Sequence, residues 1–304
     1  MTGALLVEAP GLSTTVQDDG RPGHAHEGVP PSGALDRAAF RLANRLVGNP
    51  ESAAVLETTL SGPALRLQAD RLYHVALTGA PAPLTVDGRA VASHAATAVR
   101  PGQLIEIGVA GWGLRSYLAV SGGIDEVAVL GSRSTDLLSG LGPPPLAVGR
   151  RLPLRASPDP APHASGAADL APAVVGRGRG PAVLGVWLGP REDWLADGSM
   201  DLLLTTSWSV SPDSNRVGLR LQGPRLAWRG SAELPPEGVL TGAVQVPPAG
   251  QPVVFGNDHP VTGGYPVVAV VAAQWLDVAA QLRPGSQVRF RPLGPPRRTG
   301  PEPH

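Results

Sequence analysis

The stretch from Thr241 to Pro266, TGAVQVPPAGQPVVFGNDHPVTGGYP, is the densest run of chemically capable side chains in this sequence. It holds an amide (Gln245), a carboxylate beside an imidazole (Asp258, His259), a hydroxyl (Thr262), a phenol (Tyr265) and two adjacent glycines (Gly263, Gly264). A carboxylate in such a setting acts as a general acid or base or organises a cation, and a neighbouring imidazole orients it or shuttles a proton. The glycine pair stands between the apolar runs VVF and VVAVV, which predicts a turn with φ > 0 or a ligand lying close to the backbone. A polar hairpin loop made of ordinary turn residues fits the same pattern.

Two further clusters carry polar chemistry. Residues 17–26 bring together Gln17, Asp18, Asp19, Arg21, His24 and His26. The spacing His24-x-His26 suits metal chelation, but no third ligand follows at a matching interval, so no metal site is expected. The run Gly131-Ser132-Arg133-Ser134-Thr135 offers hydroxyls and backbone amides in one loop, suited to an anion with Arg133 as a bidentate partner, or else to a plain Ser/Thr turn.

The elements that must position these groups are mostly strands. From Ala54 to Val120 short apolar runs alternate with Gly/Pro turns (VLETTL, ALRLQ, YHVALTGA, LTVDG, LIEIGVAG, LRSYLAV), which predicts a β-barrel or sandwich. The clearest helix is expected over 33–48, with Leu35, Ala39, Leu42, Ala43 and Leu46 on one face and Ser32 as the candidate cap. On it Asp36 and Asn44 lie a little over two turns apart and project from similar faces, toward a pocket or toward solvent. A shorter helix is expected from Ala273 to Gln281.

With 304 residues the chain exceeds the usual size of one core, so two domains are expected. The boundaries fall at 1–160 and 182–293, joined by a Pro/Gly/Ala-rich linker over 161–181 and followed by a tail, 294–304, expected to be disordered. Leu60-Ser-Gly-Pro-Ala-Leu65 is echoed by Leu221-Gln-Gly-Pro-Arg-Leu226, and Arg100-Pro-Gly102 by Arg283-Pro-Gly285, as in a duplicated β domain.

Composition removes whole classes of chemistry. The formal charge is zero and 16% of residues are charged, so nothing points to nucleic acid. There is no cysteine, hence no disulfide, thiol nucleophile or thiolate metal site. There is no lysine either, which excludes a phosphate-loop lysine, a Schiff base and covalent biotin on this chain. The N-terminal residues lack a basic region followed by an apolar one, and no apolar run suits a membrane span, so the protein is expected to be soluble and cytoplasmic.

Seven segments together resemble one family. They are TTVQDDGRPGHAHEGVPPSGALD (Thr14 to Asp36), ANRLVGNPESAAVLETTLSGP (Ala43 to Pro63), LAVSGGID (Leu118 to Asp125), LGSRST (Leu130 to Thr135), SNRVGLRLQGP (Ser214 to Pro224), GAVQVPPAGQPVVFGNDHPVTGGYP (Gly242 to Pro266) and AQLRPGSQVRF (Ala280 to Phe290). In this order they resemble the C subunit of bacterial 5-oxoprolinase, also known as allophanate hydrolase subunit 2, and the carboxyltransferase domain of urea carboxylase. Trp275 stands where that family often has an acidic residue.

The resemblance implies a mainly β chain of two cyclophilin-like β-barrel domains with a few short helices and a ligand cleft where they meet. It implies ATP-dependent opening of 5-oxo-L-proline to L-glutamate, performed with the 5-oxoprolinase B and A subunits, of which B is the smaller, and with ATP shared with a partner. Residue types and their placement beside the glycine turn suggest the roles. Asp258, His259 and Tyr265 would be catalytic; Gln17, Arg21, Asp36, Asn44, Gln245, Thr262, Gly263 and Gly264 would bind a small amide or lactam. Arg133 and Arg216 would take a carboxylate or phosphate. Two alternatives travel with the resemblance: biotin-dependent carboxyl transfer with a separate biotin carrier, and non-catalytic binding to a kinase inhibitor.

Overall fold

Along Arg115–Val120 every residue is buried. A strand alternates its side chains between two faces, so a fully buried run means that both faces of its sheet are covered. Leu118 and Val120 enter one apolar cluster, while Tyr117 and Ala119 enter another. The computed structural model, which describes residues 3–156, 180–230 and 234–294, shows what covers each face.

The strand is the centre of a five-stranded antiparallel sheet in the order Thr14–Gln17, Val55–Thr59, Arg115–Val120, Tyr73–Gly79, Thr97–Val99. A six-stranded sheet packs on one face, in the order Arg151–Pro153, Ala4–Ala9, Ala64–Gln68, Leu104–Ile107, Leu84–Val86, Arg89–Val91. Leu5, Leu65, Leu67 and Ile105 from one sheet and Val16, Leu56, Val75 and Leu77 from the other share a single core. The opposite face takes helix α1 (Arg37–Leu46), whose Ala39, Phe40, Leu42, Ala43 and Leu46 bury against Val55, Ala76, Tyr117 and Ala119. Each such large apolar side chain contributes about 1.5–3 kcal/mol when fully buried.

Helix α1 starts later than its apolar spacing predicts. Asp36, not Ser32, is the cap: its Oδ1 accepts from the Ala39 amide at 2.9 Å. Ser32 sits at φ 50° and Gly33 at φ 86°, left-handed backbone that a helix cannot begin from, and the Ser32 hydroxyl instead donates to the Thr135 carbonyl.

The second half closes a seven-stranded barrel in the order Ala182–Leu188, Val267–Val271, Ala243–Gln245, Val253–Phe255, Gly218–Gln222, Trp208–Val210, Gln287–Pro292. Parallel pairing of Gln287–Pro292 with Ala182–Leu188 completes the ring and leaves no free sheet edge. Helix α2 (Ser199–Thr205) precedes the Trp208 strand, and the helix expected at 273–281 forms as a 3-10 turn, Ala273–Trp275, running into α3 (Leu276–Ala280). Trp275 packs on Gly185, where an added Cβ would stand 2.4 Å from the indole Nε1, and the Arg291 guanidinium lies 5.4 Å from its ring centre.

The chain is therefore mainly β, with short helices. By contacts it divides into Met1–Arg177 with Ala280–Leu282, and Gly178–Ala279 with Arg283–His304. Most of the expected linker, 161–181, and of the expected tail, 294–304, lies outside the described residues. The sequence echo has a structural counterpart. At Arg100-Pro-Gly102 and Arg283-Pro-Gly285 the glycine takes φ 83°, the arginine carbonyl accepts from the residue after the glycine, and a strand follows.

Candidate functional site

The barrel places Asp258 by extending a ladder. Gly218 pairs with Phe255, Gly256 donates to the Val217 carbonyl and Asp258 to the Arg216 carbonyl, so residues 216 and 258 stand opposite one another. Their side chains meet in a bidentate ion pair, Nε to Oδ2 at 2.9 Å and Nη2 to Oδ1 at 3.0 Å, with the carboxylate 0% and the guanidinium 5% exposed. The matched planes fix both groups. Two residues expected to play separate roles are thus each other's partner.

His259 follows with Nδ1 2.8 Å from the Pro260 carbonyl and its ring 6.0 Å from that of Phe255. A carbonyl can only accept, so Nδ1 carries the proton and the acceptor nitrogen of a neutral ring is Nε2.

The glycine pair works differently from the expected turn. Neither Gly263 nor Gly264 is among the glycines with positive φ. Space decides instead: a Cβ on Gly263 would lie 2.8 Å from Gln245 Nε2, which donates to the Tyr265 carbonyl at 3.0 Å. Thr262–Gly263 pairs with Glu237–Gly238 as a small two-stranded ribbon. Arg191 grips Glu237 through Nε and Nη2, and that contact holds the Glu237 carboxyl below its ordinary range. Thr262 is exposed and Tyr265 is 44% exposed. Tyr265 packs at 6.3 Å against Trp228, which in turn meets Trp194 edge-on at 6.4 Å. Neither tryptophan stands out in the sequence; both lie outside the seven family-like segments.

In the first unit the polar clusters lock into one another. Asp18 Oδ1 accepts from the hydroxyls of Ser132 (2.5 Å) and Ser134 (2.6 Å) and from the Gly20 amide (2.8 Å), and Oδ2 accepts from the Arg133 amide (2.6 Å). The 131–135 loop does hold an anion, and the anion is the chain's own Asp18. Gln17 and Ser32 donate to the Thr135 carbonyl, and buried Arg21 donates through Nη2 to the Ser134 carbonyl at 2.5 Å. The side chain of Arg133 reaches away, its Nη2 3.3 Å from Asp125. His24 and His26 both contact Glu27 near the surface.

Asp36 and Asn44 do separate work. Asn44 is fully buried and donates to the carbonyls of Glu51 and Ala53, tying down the turn after α1. Asp36 Oδ2 accepts from Gln281 Nε2 at 2.7 Å, and its amide donates to the Tyr117 hydroxyl at 2.8 Å. That hydroxyl donates to Glu57 Oε2 at 2.9 Å, and Arg115 Nε lies 3.4 Å from Glu57 Oε1. Burial, then the charges of Glu57 and Asp36, push the Tyr117 phenol well above its ordinary value, so it stays a donor. Glu57, Tyr117, Arg115 and Gln281 escape sequence reasoning because each sits in an apolar run whose period signals only a core strand or a short helix.

Residues 27–292 match the family "Carboxyltransferase domain, subdomain A and B". The chain belongs to this family. It is 38% identical to the C subunit of 5-oxoprolinase from Escherichia coli (strain K12), across 94% of this chain and 90% of that protein. It is 32% identical to the urea amidolyase of Saccharomyces cerevisiae, across 95% of this chain and 17% of that much longer protein. Among solved structures, the urea carboxylase of Kluyveromyces lactis superposes with a TM-score of 0.87 at 33% identity, over 96% of this chain and 27% of that one. Among the described residues, no helix is long and apolar enough to cross a membrane.

Proposed function

We propose that the chain belongs to an ATP-dependent 5-oxoprolinase that opens 5-oxo-L-proline to L-glutamate in the cytoplasm, working together with a smaller B subunit and an A subunit. The observation that carries this reading is the near end-to-end likeness to the C subunit of 5-oxoprolinase. A lactam resists hydrolysis because amide resonance makes its carbonyl a poor electrophile. ATP would supply the activation of that oxygen. The 131–135 loop of this chain is filled by Asp18, and the sequence has no lysine for a phosphate loop. In this reading ATP is shared with a partner subunit.

The work of this chain falls to the loop around Asp258. Asp258 is the cation-organising carboxylate, and its cation is Arg216; the pair fixes the loop that runs from Asn257 to the exposed Thr262 and Tyr265. Thr262 and Tyr265 hydrogen-bond the substrate, Gln245 holds the Tyr265 backbone, and His259 offers the proton acceptor. The test is glutamate release from 5-oxoproline and ATP with the cognate B and A subunits. Y265F and T262V, both at exposed side chains, should lower turnover with unchanged melting temperature; full turnover in both would remove these roles.

A second reading, carboxyl transfer from a separate biotin carrier, is favoured by the likeness to urea carboxylase. Avidin-sensitive activity in lysate would support it over lactam opening. Turnover without biotin would dismiss it.

A further inference from the structure

Of the three tyrosines, Tyr73 and Tyr117 are buried and Tyr265 lies at the surface. An exposed phenol ordinarily moves among rotamers within nanoseconds. Around Tyr265 several holds converge, and they run to one peptide. Gln245 Nε2 donates to the Tyr265 carbonyl at 3.0 Å, and the amide of the next residue, Val246, donates to the Pro266 carbonyl at 3.1 Å. The Val246 carbonyl accepts from Trp228 Nε1 at 3.2 Å. That bond sets the indole against the Tyr265 ring, 6.3 Å between centres and 61° between planes. The first two contacts fix the backbone from which the side chain leaves; the indole meets the ring itself.

Trp228 is braced in turn. Its backbone bridges to Leu195, the Arg229 amide donates to the Trp194 carbonyl at 2.9 Å, and the Ala196 amide donates to the Ala227 carbonyl at 2.8 Å. Trp194 meets the indole edge-on, 6.4 Å away and at 89°. With its N–H taken by Val246, the half-buried indole presents Tyr265 with an aromatic surface of fixed orientation. The contacts of Tyr265 among the described residues run through its ring and its carbonyl, which leaves the hydroxyl to a ligand.

We propose that Trp228 is a positioning residue for the lactam-opening reaction: it holds the Tyr265 ring in one orientation and so presents the hydroxyl to the substrate at one place. The inference rests on the substrate-binding role given to Tyr265 above. A donor oriented in advance gives up less rotamer freedom when substrate arrives, so the benefit appears in turnover.

A double-mutant cycle in the assembled complex tests this, read as kcat/KM for glutamate release per folded molecule. W228L should lower kcat/KM about two- to tenfold, as for loss of one aromatic pair. W228F keeps a ring and should recover most of that loss. In the Y265F background the hydroxyl is already gone, so W228L should cost nothing further, whereas a merely structural tryptophan would lower both backgrounds alike. Ring-labelled tyrosine NMR of the full chain supplies a second readout that needs no turnover. The Tyr265 signals, identified by their loss in Y265F, should move toward free tyrosine in W228L while those of Tyr73 and Tyr117 stay in place. Equal losses from W228L in the two backgrounds, or Tyr265 signals unmoved in W228L, would overturn the assignment. A parent complex that releases no glutamate would sink the oxoprolinase reading alone, and the Tyr265 signals would still decide whether Trp228 orients the ring.

Discussion

Asp18 and Asp258 are both buried carboxylates, and the two units neutralise them in opposite ways. Asp18 is caged by neutral donors, two hydroxyls and two backbone amides drawn from separate loops. Asp258 faces one guanidinium, matched oxygen for nitrogen. A cage of many donors loses stability in steps as donors are removed. An ion pair out of water loses most of it at once, because the surviving charge is left without compensation. The first arrangement pins loops into a scaffold; the second fixes a single short loop whose other residues, Thr262 and Tyr265, remain at the surface.

The largest effect should come from splitting the pair. R216A or D258A should each cost about 3–5 kcal/mol in chemical denaturation, and an apolar double replacement such as R216M/D258L should recover most of that loss. Additive losses in the double variant would show that the pair is not the unit described. Next, S132A or S134A should each cost about 1.5–3 kcal/mol, the range for a hydrogen bond to a charged group. A loss as great as that from D258A would erase the distinction between cage and pair.

Comparable in size, Y117F should cost about 1.5–3 kcal/mol at neutral pH through its lost hydrogen bond to the buried Glu57 carboxylate. Its pH dependence has a definite sign. The folded phenol titrates above its ordinary value of 10.0, so its contribution is complete below that value and is lost as pH rises beyond it, where only the unfolded chain ionises. Parent protein should lose stability above about pH 10 more steeply than Y117F, as read by denaturant midpoints across that range. Smallest of all, E237Q at the half-buried Arg191 contact near the surface should change the melting temperature little, since surface pairs contribute little. A clear drop would mean that the ribbon at Thr262–Gly263 depends on that ion pair.

Much of the fold was legible because alternation and turn residues report sheet structure directly. The α1 face, the strand runs and the paired Arg-Pro-Gly turns all follow from spacing. The start of α1 was not legible, because the left-handed backbone at Ser32 depends on a distant contact with Thr135. The polar motifs misled for a related reason. Sequence shows that Asp18, Arg21 and the 131–135 loop are hydrogen-bonding groups; only the fold shows that they satisfy one another over more than 100 residues of separation. Gly263 shows the same limit, since the side chain that requires its missing Cβ, Gln245, comes from another strand.

The most direct measurement pairs turnover with stability in the assembled complex, comparing Y265F with S134A by glutamate release per folded molecule. If the barrel loop carries chemistry and the Asp18 cage carries architecture, Y265F loses turnover at an unchanged melting temperature, and S134A melts earlier with its turnover per folded molecule intact. The opposite pattern, full turnover in Y265F and loss of it in a stably folded S134A, would contradict that division.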